Sequence, residues 1–178
     1  MIIRVDDVTP SPKELNSIER IESLNEIYAP GQIRDFQFPA FIDVALTYYR
    51  AGADLFFEGA FRGSFEGHCS RCLRRYTFTL DSPFDFVLAP GPGTAGKKMG
   101  ELTRDELGLS QYSGEEINLS PLIREQVLLA LPTRPLCDEN CRGLCSQCGA
   151  NLNVEACACS SGAHDPRMSI FRTLKVGR

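Results

Sequence analysis

The chain has 178 residues, of which 43% are hydrophobic and 24% charged, with a formal net charge of -4. This composition is globular and excludes a disordered chain, and no stretch approaches the eighteen or so apolar residues of a membrane span. An acidic chain is not drawn to nucleic acid by its overall field, so any RNA contact must come from a local basic patch.

The first twenty residues, MIIRVDDVTPSPKELNSIER, carry early acids and two prolines but no apolar run of signal-peptide length, which predicts a cytoplasmic protein. Ser11 before Pro12, with Glu14 three positions on, reads as a helix start with a capping box. Leu15, Ile18, Ile21, Leu24 and Ile27 follow at a spacing of three, which predicts one helix or two short ones ending near Ala29-Pro30-Gly31.

From about Phe36 to Leu88 the period changes to two. Ile42, Val44, Leu46 and Tyr48 share one face, a turn falls at Ala51 to Asp54, and Leu55, Phe57, Phe61 and Phe65 alternate with Glu58, Arg62 and Glu66. Tyr76, Phe78, Leu80, Phe84, Phe86 and Leu88 continue the pattern. Short connections between these strands predict antiparallel pairing.

Residues 89–100, APGPGTAGKKMG, read as a loop or internal linker, followed by an acid-rich stretch from Glu101 to Glu116. A short strand is predicted around Tyr112 and Ile117 to Leu119. Ser120 and Pro121 then open a helix whose apolar stripe is Leu122, Ile123, Val127, Leu128 and Leu131, stopped by Pro132. Asp165 and Pro166 open another, presenting Met168, Phe171 and Leu174 on one side. The predicted class is α+β: an antiparallel β-sheet or partly closed barrel flanked by helices, with a C-terminal zinc-binding segment. The expected division is an α+β domain over 1–136, carrying a zinc hairpin at 67–75, and a cysteine-rich segment over 137–178 whose last helix docks on it.

Eight cysteines without an export signal point to metal rather than disulfides, because a reducing compartment seldom preserves S–S bonds. Cys69-Ser-Arg-Cys72 falls between two alternating strands and therefore at a hairpin tip, where a two-residue spacing aims both sulfurs at one point. Cys137, Cys141, Cys145, Cys148, Cys157 and Cys159 are denser, six in 23 residues. Gly149, directly after Cys148, can turn left-handed and direct backbone N–H groups at thiolates, and Gly143 can do the same between Cys141 and Cys145.

Eight ligands make two four-coordinate Zn2+ sites. The simplest partition keeps Cys145, Cys148, Cys157 and Cys159 together and completes Cys69 and Cys72 with Cys137 and Cys141. Closing 64 intervening residues costs on the order of 2 kcal/mol more than closing a loop of eight, against roughly 10–16 kcal/mol for zinc binding. The rival partition groups Cys137, Cys141, Cys145 and Cys148 and gives Cys157 and Cys159 to the hairpin. A single ion, leaving four thiols idle, is a third count. His68 and His164 read as surface residues beside loops.

The succession CSRCL after a strand, INLSPLIREQVLLALPTRPLC, CRGLCSQCGANLN, CAC and DPRMSIFRTL resembles the YceD family, the large ribosomal RNA subunit accumulation proteins, over residues 60 to 175. The resemblance implies a bacterial or plastid-type cytosolic factor, not an enzyme, needed for large-subunit ribosomal RNA to accumulate and so for ribosome biogenesis. It places Cys69, Cys72, Cys137 and Cys141 on one set of family ligand positions. Cys145, Cys148, Cys157 and Cys159 fall on a second set that some relatives lack.

Three functional readings follow. The first is an assembly factor that binds ribosomal RNA, or another large-subunit assembly component, through Arg71, Arg74, Arg75 and Tyr76 beside the hairpin. The second is a protein-interaction adaptor without RNA contact, in keeping with the acidic balance. The third is a thiol oxidoreductase using Cys69 and Cys72, which the strand-like flanks disfavour, because that chemistry wants a helix N-terminus in a βαβ setting. Oligomeric state is not encoded in any of these features.

Overall fold

The computed structural model describes residues 1–29, 31–32, 34–91 and 110–159. His164, the predicted C-terminal helix, most of the glycine-rich run and the first part of the acidic stretch lie outside them. The elements are β1 (Ile2–Arg4), β2 (Lys13–Arg20), β3 (Phe36–Gln37), β4 (Phe41–Ala51), β5 (Asp54–His68), β6 (Arg75–Pro90), β7 (Ser110–Tyr112), β8 (Glu116–Asn118) and α1 (Ser120–Ala130).

Six strands form one sheet in the order β2-β4-β5-β6-β7, with β3 paired to β5, while β1 and β8 make a separate two-stranded ladder. Every pair is antiparallel except β6 and β7, whose parallel register joins Leu88 to Ser110. Residues 91–109 separate those two strands, long enough for the crossover that a parallel pair requires. The terminal strands β2 and β7 do not meet, so the sheet stays open and does not close as a barrel.

The β5–β6 hairpin carries the core. Leu55, Phe57, Phe61 and Phe65 are buried on one face of β5, and burial of each is worth about 1.5–3 kcal/mol. On the same face Gly59 and Gly63 alternate with the aromatics. A Cβ on Gly59 would collide with the Ala45 carbonyl oxygen, and one on Gly63 would lie 2.6 Å from Ile42 Cγ2. These two positions need glycine because the β4 backbone and the Phe84 ring close over Gly59, and the Ile42 side chain and the Phe65 ring over Gly63. Aromatic stacks run along the hairpin, with ring centroids 5.0 Å apart for Phe57 and Phe86 and 5.9 Å for Phe65 and Phe78.

The N-terminal helix predicted from Leu15, Ile18, Ile21, Leu24 and Ile27 is not formed. Residues 13–20 are β2, paired along their whole length with β4, and only a 3-10 segment, Glu22–Ile27, follows. Leu15, Ser17 and Glu19 face inward while Ile18 is 67% exposed. Glu19 is buried because the Met1 backbone amine lies 3.5 Å from one carboxylate oxygen and Arg124 Nη2 3.6 Å from the other. Those partners come from distant parts of the chain, which hid the strand alternation behind a serine and an acid.

The one α-helix among the described residues, α1, starts at Ser120 as predicted. Its first N–H is held from outside, since Asn118 Oδ1 accepts from the Ser120 N–H at 3.1 Å, and the Ser120 hydroxyl oxygen accepts from the Met1 amine. Ile123 and Val127 are buried, whereas Leu128 and Leu129 face outward. After α1 the chain carries Cys137 and Cys141 back to the tip of the β5–β6 hairpin, where the Ser70 N–H donates to the Pro135 carbonyl at 2.8 Å.

Candidate metal centres

The eight cysteines come together as two groups of four. Cys69, Cys72, Cys137 and Cys141 form one, Cys145, Cys148, Cys157 and Cys159 the other, and in each the sulfurs lie within 4.8 Å of one another. The rival partition, which joined Cys137 and Cys141 to Cys145 and Cys148, is not what the fold assembles.

In the first group Cys69 Sγ lies 3.7 Å from Cys141 Sγ, and Cys72 Sγ 3.6 Å from Cys137 Sγ. In the second, Cys148 and Cys157 are 3.5 Å apart and Cys157 and Cys145 3.4 Å. A tetrahedron with metal–sulfur bonds of about 2.3 Å has edges of about 3.8 Å, so both donor sets are close to the size that a four-sulfur ion needs. None of the eight forms a disulfide.

Both CxxC pairs sit on the same turn. At the hairpin tip the Arg71 N–H points at Cys69 Sγ (3.4 Å) and the Leu73 N–H at the Cys69 carbonyl (2.9 Å). In the second group the Gln147 N–H points at Cys145 Sγ (3.4 Å) and the Gly149 N–H at the Cys145 carbonyl (2.9 Å). The residue after the pair is left-handed in each: Gly149 at φ 75° and Leu73 at φ 60°. A side chain at that angle is strained, so the hairpin turn holds Leu73 at a cost of order 1–3 kcal/mol. Gly143, at φ 77°, aims its N–H at the Cys141 sulfur.

The groups differ in setting. Cys69, Cys141 and Cys72 are 0%, 3% and 5% exposed, whereas Cys148 and Cys159 are exposed. A short crosslinked loop separates them, with Leu144 bridged to Asn151 and Cys145 N–H donating to the Ala150 carbonyl. Asn153, which the sequence did not single out, donates from Nδ2 to Cys141 Sγ at 3.3 Å and so ties the second loop to the first group.

Four sulfurs so close cannot all hold negative charge unaided. Burial pushes the Cys69 thiol up, but N–H groups of Cys137, Cys72 and Arg71 outweigh it and bring the pKa down to about 6, while burial drives Cys72 up to about 12. In the second group N–H groups of Cys148 and Gln147 lower Cys145 to about 6, and hydrogen bonds that the Cys159 thiol donates to Cys157 and Cys148 raise it to about 12. Cys141 is lowered as well, chiefly by Asn153 and the Gly143 N–H against burial, and a cation would favour the thiolate form of the raised members of both groups. The donors, their spacing and the directed N–H groups fit a divalent, sulfur-loving ion.

The four residues proposed for RNA contact lie around the first group, and three are occupied within the protein. Arg71 Nη1 donates to the carbonyls of Cys141 (2.8 Å) and Glu139 (3.2 Å), which fastens the returning segment. The Arg74 side chain hydrogen-bonds the Cys137 sulfur, which raises the guanidinium pKa further. Tyr76 is half-buried against Phe78, with ring centroids 5.5 Å apart. Arg75 differs: its Nε donates to His68 Nε2 at 3.2 Å, at the rim of a cavity. The pairing of His68 with Arg75 is set by the register of the hairpin, which is not centred on the cysteine pair, and Arg34, on the same cavity, comes from a distant loop with no local signal.

A family model described as large ribosomal RNA subunit accumulation protein YceD matches residues 57–175. The homolog 1 protein of that name in the chloroplast of Arabidopsis thaliana is 41% identical over 51 residues, 29% of this chain and 16% of that protein. An uncharacterized protein of Mycobacterium tuberculosis is 31% identical over 120 residues, 65% of this chain and 54% of its own length. One from Mycobacterium leprae is 26% identical over 159 residues, covering 85% of this chain and 68% of that protein. This chain therefore spans only a small part of the plastid relative and about half of the tuberculosis one. No solved structure matches it. The family match takes in well over half of the chain and all eight cysteines, and the chain belongs to the YceD family.

Proposed function

We propose that this chain is a non-enzymatic zinc protein that supports the accumulation of large-subunit ribosomal RNA during ribosome biogenesis, in the cytoplasm or a plastid-type compartment. Its partner is the ribosomal RNA or an assembly component of the large subunit. The observation that carries the reading is the coincidence of a family match named for that outcome with two four-sulfur groups inside the matched residues. Soft thiolates in fours favour zinc over magnesium, calcium or manganese. The buried position of Cys69 and Cys72 supports a structural role, since thiol exchange requires an accessible attacking sulfur. No helix among the described residues is long and apolar enough to cross a membrane.

The test has two parts. Purified under reducing conditions, the protein should carry two zinc ions per chain, and Cys69→Ser with Cys72→Ser should remove at least one. Cells in which that variant replaces the native protein should show a reduced ratio of large- to small-subunit ribosomal RNA. An unchanged ratio in cells lacking the protein altogether would refute the functional reading, and iron in place of zinc would refute the metal.

A further inference from the structure

We infer that the cavity beside the first cysteine group binds single-stranded RNA, taking one nucleotide with its phosphate between Arg34 and Arg75; this rests on the ribosomal-RNA reading above. The cavity measures about 440 Å³ and is lined by Arg34, Phe36, Gln37, Glu66, His68 and Arg75 among others. That volume falls within the roughly 300–1,000 Å³ of small-molecule sites. Its wall is sheet backbone, with Phe36 and Gln37 of β3 paired to Gly67 and Glu66 of β5, and His68 to Arg75 at the mouth of the hairpin.

Two guanidinium groups face this cavity with a single carboxylate, Glu66, so the lining is positive in a chain of net charge -4. His68 links the Arg34 backbone to the Arg75 side chain. Its Nδ1–H donates to the Arg34 carbonyl at 2.7 Å, which leaves Nε2 to accept from Arg75 Nε at 3.2 Å. An imidazole that donates at one nitrogen and accepts at the other is neutral, so it orients Arg75 without adding charge. The terminal nitrogens of Arg75 and the whole Arg34 guanidinium have no partner among the described residues. Two cations that line one cavity, with no carboxylate bonded to either among the described residues, are what a phosphate neutralises.

A chain-like ligand suits the site better than a free nucleotide. Arg34 and Gln37 also line a neighbouring cleft of about 950 Å³ that runs on to Arg20 and Arg124. Arg20 there is tied to Glu22 at 2.6 Å and Arg124 to Glu19 at 3.6 Å, and Glu26 faces the same cleft. Arg34 and Arg75 therefore carry the affinity, and the adjoining cleft gives the strand a path. A pocket of this volume has room for an unstacked base, which single strands present and duplexes do not.

The experiment measures binding of the full, metal-loaded chain to a fluorescent single-stranded RNA of mixed sequence, by anisotropy at about 100 mM salt. Arg34→Glu with Arg75→Glu should weaken binding by more than about tenfold with metal content unchanged. Arg62→Glu, on the outer face of β5 opposite Asp81 and in neither cleft, should change it less than about twofold. Arg34→Gln with Arg75→Gln should flatten the slope of log affinity against log salt by about 1.4, and carries the test if charge reversal unfolds the chain. A duplex of the same sequence should bind more weakly than the single strand. Wild-type protein that ignores RNA, an unaffected double variant, or a duplex bound as tightly would each overturn the site. The functional reading would survive all three as long as cells lacking the protein still lose large-subunit ribosomal RNA.

Discussion

The two cysteine groups use the same four-sulfur donor set and the same CxxC turn, yet they are embedded differently. The first is drawn from two separated stretches of the chain: Cys72 and Cys137 are 65 residues apart, and three of its members are buried. The second closes over 12 residues between Cys145 and Cys157 and leaves two of its sulfurs exposed. What a metal ion would contribute to stability therefore depends less on its ligands than on how much chain the ligands hold together. In the first group the ion would act as a tertiary bond between the hairpin tip and the segment after α1, in the second as a local brace.

Four experiments would break or sharpen that contrast. Cys69→Ser with Cys72→Ser should cost the most, lowering the melting temperature by roughly 10–20 °C, the scale expected for a loss of about 5 kcal/mol in a chain of this size. Limited proteolysis should then cut between α1 and Cys141. Cys148→Ser with Cys159→Ser should remove one metal ion but lower the melting temperature by less than about 5 °C, and an equal drop in both variants would erase the distinction.

Acid supplies the third comparison. Without metal, hydrogen bonds lower Cys69 and Cys145 to about 6, so below pH 6 protons compete with an ion for the readiest sulfur of both groups and favour its release. With a chelator present at pH 6, exposure should let the second group lose its ion at least about tenfold faster, as followed by a colorimetric zinc indicator. Release from the first group ahead of the second would reverse the assignment of staple and brace.

The smallest effect concerns the one backbone difference between the turns. Leu73 stands at φ 60° where the second turn has Gly149, so Leu73→Gly should stabilise the metal-loaded protein by about 1 kcal/mol in urea titration. Gly149→Leu should destabilise it by a similar amount.

Much of this was legible in the residues. The alternation of Leu55, Phe57, Phe61 and Phe65 with charged neighbours marked β5, and the run from Tyr76 to Leu88 marked β6, which placed Cys69 and Cys72 at a hairpin tip. The Ser120-Pro121 pair marked the start of α1. The N-terminal segment misled because β2 alternates a leucine, a serine and a glutamate on its inner face, and Glu19 is tolerated there only through Met1 and Arg124. Spacing of three among Leu15, Ile18 and Ile21 imitated a helix that nothing long-range supported. The diversion of Arg71 to the Cys141 carbonyl was invisible for the same reason, since it depends on a contact 70 residues away.

The long reach of the first group also sets an order of events during synthesis. At about 5–20 residues per second, Cys72 leaves the ribosome roughly 3–13 seconds before Cys137, while the ends of the second group emerge within about 1–3 seconds of each other. For that interval the nascent hairpin carries a two-sulfur half-site with nothing to close it, open to oxidants and to competing soft metals. Of the two candidate metal links, the one expected to stabilise the fold more is thus the one that must wait longer to be made.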